Sequence, residues 1–303
     1  AQELGRNDEG INTEIAVSLG RSGNVKEAIE KLKKSLTMVD QNDINQRIFI
    51  NSEIAWLYDG IGKYKEGLKY LKRIEKLGRD DCWFNTEYGF CLMRMQKYDK
   101  AIEKYKHALE LKEELNEEIY LNSQIGFCYR LLGSEKTALK YHLKAKELGR
   151  NDAWINSEIG ICYKDLDKYE EALKYYLLAY EEDKEEIWLL SDIGWLYNEL
   201  DRYEEALESF KKAYARDNNG WYLYAMGRCL RGLERYEEAI EILLKSRQIS
   251  LAEEDVVDGE DFELAHCYIG IGDKENAQKY LDSARESITE RGAVNDTIKA
   301  KIK

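Results

Sequence analysis

Between residues 153 and 186, apolar or small side chains fall at Ile155, Ile159, Gly160, Cys162, Tyr163 and Leu166. After a short polar turn they resume at Tyr169, Ala172, Leu173, Tyr176 and Ala179. Both sets follow i, i+3/i+4, i+7 spacing, which puts them on one face of a 3.6-residue helix. The stretch therefore predicts two amphipathic helices joined by a tight turn. The same pattern recurs along the chain. Eight segments align on a small residue where two helices meet: Ala28, Gly67, Ala101, Ala138, Ala172, Ala206, Ala239 and Ala277. The base period is 34 residues, with short insertions after the first, third and seventh units. The units run 9–47, 48–81, 82–118, 119–152, 153–186, 187–219, 220–257 and 258–291, and "position" below counts from the first residue of each.

Two helices linked by so short a turn pack closely only where side chains are small. Position 8 meets this need with Gly89, Gly126, Gly160, Gly194 and Gly227, and with Ala in the other three units. Asn24, Ser134 and Asp273 stand where an N-cap of the second helix belongs, and Asn24 with Glu27 has capping-box spacing. "GIG" at 60–62 and 270–272 falls in the turn inside a unit, where glycine permits a positive φ.

Eight hairpins in register resemble the tetratricopeptide repeat family, over nearly the whole chain. Unit 187–219 carries the family's residues as Ile193, Gly194, Tyr197, Ala206, Phe210 and Ala213. Two features depart from the family pattern. Position 4 is Asn in five units (Asn12, Asn51, Asn85, Asn122, Asn156) instead of Trp, and position 32 is never Pro. The resemblance implies an all-α fold, a right-handed α-solenoid of tandem antiparallel helix pairs. We expect the five asparagines to bond the Pro-free turns between units, whose backbone groups need partners.

The chain opens with "AQELGRND", and 145–152 repeats this as "AKELGRND", with "LGRDD" at 77–81. Residues 1–8 thus read as positions 27–34 of a preceding unit whose first helix is absent. Residues 292–303 match no unit and read as a polar cap on the last pair or a frayed tail.

Composition narrows the function classes. The 303 residues include no proline and carry a net charge of −13, which disfavours general nucleic-acid binding. No apolar run is long enough to span a membrane. Five of the six cysteines (Cys91, Cys128, Cys162, Cys229, Cys267) share position 10 and read as small buried hydrophobes, and no spacing suits zinc or another metal. Reduced thiols fit a cytoplasmic location. His107, His142 and His266 are scattered, with His142 at the core aromatic position 24. Pairs such as "YEEA" suit the positive end of a helix better than acid–base work. No cofactor and no catalytic residue is expected.

The six tryptophans occupy two positions only. Trp83, Trp154, Trp188 and Trp221 are at position 2, and Trp56 and Trp195 at position 9. Positions 2, 5, 9 and 12 form one stripe on the first helix. The family resemblance implies that this stripe, with position 13, lines a concave inner surface. Phe49, Phe90, Tyr120, Phe127, Tyr224 and Phe262 join it, with basic Arg21, Arg94, Arg130, Lys164, Arg228 and Arg231 against acidic Asp59, Asp165 and Glu199. The expectation is a locally basic aromatic groove in an acidic protein, gripping a peptide that carries apolar and acidic groups. Alternatively, the aromatics at positions 2 and 9 pack against the next unit. The leading function is a non-catalytic scaffold for a protein or peptide. A peptide-sensing regulator with an effector domain ahead of the array, and the accessory arm of an enzyme fused upstream, are the alternatives. The family's clamp for chaperone tails uses Lys at position 5 and Asn at position 9, and neither occurs here.

Overall fold

In the computed structural model, residues 9–253 and 256–302 are described, with side chains for 10–253 and 256–289. Residues 1–8, which the sequence assigns to a preceding unit, lie outside the described residues. The chain divides into two compact units, residues 1–151 and 152–303. The first holds α1 (Glu9–Arg21), α2 (Val25–Met38), α3 (Ile44–Gly60), α4 (Tyr64–Lys76), α5 (Cys82–Arg94), α6 (Tyr98–Leu111), α7 (Leu115–Leu131) and α8 (Glu135–Glu147). The second holds α9 (Ala153–Asp165), α10 (Tyr169–Glu182), α11 (Ile187–Glu199), α12 (Tyr203–Arg216), α13 (Gly220–Gly232), α14 (Tyr236–Ala252), α15 (Asp258–Gly270) and α16 (Lys274–Ile302). Among the described residues all regular structure is helical, and within each unit odd and even helices pair as hairpins that stack on the next pair. Residues 292–302 continue α16 without a break.

The hairpins close on the small residue at position 8. A Cβ on Gly89, Gly126, Gly160 or Gly194 would come within 2.7–2.9 Å of the position-24 rings Tyr105, His142, Tyr176 and Phe210. On Gly227 it would reach Leu243 at 2.5 Å. The glycine is thus the hollow into which the second helix sets its largest core side chain, and Tyr105 and Tyr176 are fully buried there. His142 is equally buried, and desolvation pushes its pKa down to about 3, so it stays neutral. A second recurring contact stacks position 11 on position 23: Tyr58 on Tyr70, Tyr129 on Tyr141, Tyr163 on Tyr175 and Tyr268 on Tyr280, with ring centres 5.5–5.8 Å apart. The five position-10 cysteines are fully buried among these contacts. Burial pushes the Cys91, Cys128 and Cys229 thiols up to about 12, so they remain protonated.

Each hairpin turn uses one left-handed residue, always at position 15. Gly23, Gly62, Gly133 and Gly272 take it in four pairs, and Gln96, Asp167, Asp201 and Glu234 in the others. The "GIG" expectation holds for Gly62 and Gly272, whereas Gly60 and Gly270 end their helices with no positive φ. Between pairs, Gly78 and Gly149 turn left-handed after α4 and α8. The Asp81 carboxylate then accepts the Phe84 N–H to start α5. The "LGRDD" phrase therefore closes one hairpin and caps the next.

Two local expectations need correction. Asn24 and Ser134 occupy the N-cap of α2 and α8, but neither side chain accepts a capping hydrogen bond, so the Asn24–Glu27 capping box does not form. Their φ/ψ stays outside the extended region from which a cap side chain reaches forward. Asp273 does cap α16, accepting from the Asn276 N–H at 3.1 Å. The position-4 asparagines are all buried. Asn51 and Asn122 donate one helical turn back, to Arg47 O and Glu118 O, and do not reach the turns between units. Asn85 alone of these three reaches the inter-unit segment, through Asp80 and Asp81.

Candidate functional site

The stripe side chains stand on the odd-numbered helices. None of the six tryptophans is fully buried, and Trp56, Trp83, Trp188 and Trp221 are 55, 43, 42 and 48% exposed. Position-2 rings nonetheless share in packing. Trp188 packs at a steep angle against Tyr176 and Trp221 against Phe210, each a core ring of the preceding second helix. Trp195 lies edge-on to Tyr169. Trp188, Trp195 and Trp221 thus each touch a neighbouring ring, while Trp56, Trp83, Trp188 and Trp221 keep large exposed faces.

In the first unit, Trp56 on α3 and Trp83 on α5 border one cleft of about 300 Å³ with Arg21, Ser52, Glu53 and Glu87. Arg79, tied to Asp81 at 2.7 Å, lies over the Trp83 ring at 4.5 Å. Phe90 sits edge-on to Tyr64, and the exposed Arg94 donates from Nε to the Tyr64 hydroxyl at 2.9 Å. Arg130 lies over the Phe127 ring at 5.1 Å.

In the second unit, Lys164 on α9 reaches across to α11. Its Nζ is 2.9 Å from Asp192 Oδ1 and 5.9 Å from the Trp195 ring centre. Lys164, Asp192, Trp195 and Trp221 border a cleft of about 460 Å³ together with Asp165, Asp167, Tyr169 and Ser191. Arg228 and Arg231 on α13 both reach Glu263 on α15, Arg228 at 3.4 Å, and Arg228 also lies 6.0 Å from the Tyr224 ring. Trp154 and Trp188 stand apart from this cleft.

The charge pattern differs from a simple basic groove. Position 6 is acidic in six units, as Glu14, Glu53, Glu87, Glu158, Asp192 and Glu263. Four of these carboxylates lie against the stripe: Glu53 and Glu87 in the first cleft, Asp192 on Lys164, and Glu263 on the two arginines. They more than cancel the stripe's surplus positive charge. Burial raises the pKa of Glu53 and of Glu87, and Arg21 partly offsets it for Glu53. The signal was present one residue past position 5. It is lost when only the i, i+3, i+7 face is counted, because a side chain beside the stripe still reaches into it.

Comparison with known proteins places this architecture. Sequence models of the tetratricopeptide repeat match residues 151–219, and again 84–115, 222–250 and 262–284, together about half of the chain. No curated protein matches it. Among solved structures, the C-terminal part of a TPR repeat-containing protein from Cytophaga hutchinsonii aligns with TM-score 0.58 and 17% identity, over 90% of this chain and 93% of that one. MamA from Desulfovibrio magneticus RS-1 aligns with TM-score 0.53 and 20% identity, over 57% of this chain and 96% of that one. YrrB, described as a TPR protein with an unusual peptide-binding site, aligns with TM-score 0.52 and 20% identity, over 63% and 94%. At these identities the likeness is one of fold, and it agrees with the helix pairs, the position-8 hollows and the matched repeats. With those repeats spread through both units, the chain belongs to the tetratricopeptide repeat family.

Proposed function

We propose that the protein is a non-catalytic scaffold that binds a protein or peptide along the first-helix stripes. The observation that carries this reading is the confinement of all six tryptophans to two repeat positions, with four of them more than 40% exposed. Large exposed aromatic area is what binding hot spots are made of. Stacked repeats offer such area in an extended form. YrrB, with its peptide-binding site, offers a precedent on the same fold. The partner carries apolar groups for the indoles and acidic groups for the basic residues of the stripe. Arg228 and Arg231 are already held by Glu263, so an acidic group there has to compete with that carboxylate.

A random twelve-residue peptide display library, selected against the full chain, tests the reading. Enriched peptides are expected to bind Trp195→Ala with Arg228→Ala about tenfold or more weaker, while the melting temperature changes little. Failure to enrich any peptide, or a large loss of stability with unchanged binding, overturns it.

A further inference from the structure

The two tryptophan clefts follow one plan. Each is bordered by the Trp at position 9 of one repeat, the Trp at position 2 of the next, and the serine and carboxylate at positions 5 and 6. In the first unit these are Trp56, Trp83, Ser52 and Glu53; in the second they are Trp195, Trp221, Ser191 and Asp192. In the sequence, position 9 is Trp only in these two repeats, and both are followed by a Trp at position 2.

The clefts differ at position 12 of the repeat before. In the second unit this residue is Lys164, whose ammonium is bonded to Asp192 and lies near the rings of Trp195 and Tyr176. The chain thus sets its own lysine in the wall of this cleft, held by a carboxylate and aromatic faces together. In the first unit the same position is Gly20, which has no side chain to offer. There the position-6 carboxylate remains and Glu87 joins it from the position that is Ala225 in the other cleft, whereas Asp165 and Asp167 of the other cleft are replaced by Arg21 and Gly23. Among the described residues no ion pair reaches Glu53 or Glu87. Arg21 borders the cleft and acts on Glu53 at longer range, one positive charge against two half-buried carboxylates. Trp83 already carries a guanidinium, that of Arg79, on its ring, and Trp56 is the most exposed indole of the chain.

We propose that the Trp56–Trp83 cleft takes a lysine side chain from the bound peptide, its ammonium meeting Glu53 and Glu87 where the second unit uses its own Lys164. This rests on the peptide-binding reading and adds to it. The partner combines apolar and acidic groups with one basic residue, which fixes where along the first unit the peptide sits.

The test uses the tripeptide amide acetyl-Leu-Lys-Leu and its norleucine and glutamate counterparts. It follows the indole N–H resonances of the full chain, assigned by single Trp→Phe substitutions. The lysine tripeptide is expected to shift Trp56 and Trp83 saturably, and the other two are not. Glu53→Gln with Glu87→Gln, isosteric and checked for retained helicity, is expected to weaken this by about tenfold or more. Trp195 and Trp221 stay still in the unaltered protein and begin to respond in Lys164→Ala, which removes the ammonium that Asp192 holds. Equal shifts with norleucine, indifference to the Gln variants, or a response of Trp195 equal to that of Trp56 without Lys164→Ala overturns the proposal. The two readings fail separately. If display yields lysine-free peptides that bind the Gln variants unchanged, peptide binding stands and the lysine cleft falls. If display yields nothing while the tripeptide behaves as expected, the cleft stands without the wider scaffold reading.

Discussion

Asp59 is one of three acidic residues that the stripe's sequence pattern includes, and its surroundings give it a distinct chemistry. Its Oδ1 occupies the space that a Cβ on Gly67 would need, 2.6 Å away, and that oxygen is buried without a hydrogen-bond partner. Burial, reinforced by the nearby Glu87 carboxylate, pushes its pKa from 3.8 up to about 7, against a smaller opposing effect of the Cys91 thiol. Because the folded-state pKa is raised, folding favours the protonated form. Its contribution to stability is complete below 3.8 and is lost as pH rises through about 7. Asp59→Asn, which is never charged, is therefore expected to raise stability at pH 8 by about 1–2 kcal/mol, allowing for solvent on one side of the group. At pH 3.5 it is expected to change stability little. Denaturant melts at the two pH values check this, and an equal effect at both would show that charge is not the cause. The residue type was visible in the sequence, but its titration was not. It depends on Gly67 and Glu87, which lie on two other helices.

At the scale of the helix pair, the turn at position 15 is the shared device. All eight described hairpins place this residue in the left-handed region, four of them without glycine. A Cβ there is crowded against the backbone, and asparagine or aspartate bears this better than Gln or Glu. Gln96→Gly and Glu234→Gly are each expected to raise stability by about 0.5–1 kcal/mol, the relief of φ strain exceeding the added freedom of the unfolded chain. Asp167→Gly is expected to gain less, because Asp tolerates this conformation. Urea unfolding of the three variants ranks them, and a loss in both Gln96→Gly and Glu234→Gly would contradict the argument. The pairing of helices was legible from the 34-residue period. The Tyr–Tyr stacks and the missing Asn24 and Ser134 caps were not, since both depend on side-chain directions that spacing leaves open.

At the scale of the whole molecule, charge dominates what can be foreseen. A net charge of −13 on 303 residues opposes compaction, while most ion pairs found here are exposed and contribute little each. Raising salt from about 10 to about 200 mM is therefore expected to raise the melting temperature, because screening weakens repulsion across the surface more than it weakens short pairs. A fall in the melting temperature would mean that the pairs carry more stability than the repulsion removes. The sequence by itself determined the repeat, the helix pairs, the small residue at position 8 and the stripe that holds the tryptophans. Each of these follows from period and side-chain volume, which are properties of neighbours within one or two helices. Only the tertiary structure decided which charges meet. Glu263 holds Arg228 and Arg231, Asp192 holds Lys164, and Glu53 and Glu87 stand beside two indoles. The physical reason is that such contacts join residues about 30 positions apart on successive first helices, where side-chain reach across the stack, and not spacing along one helix, sets the partner.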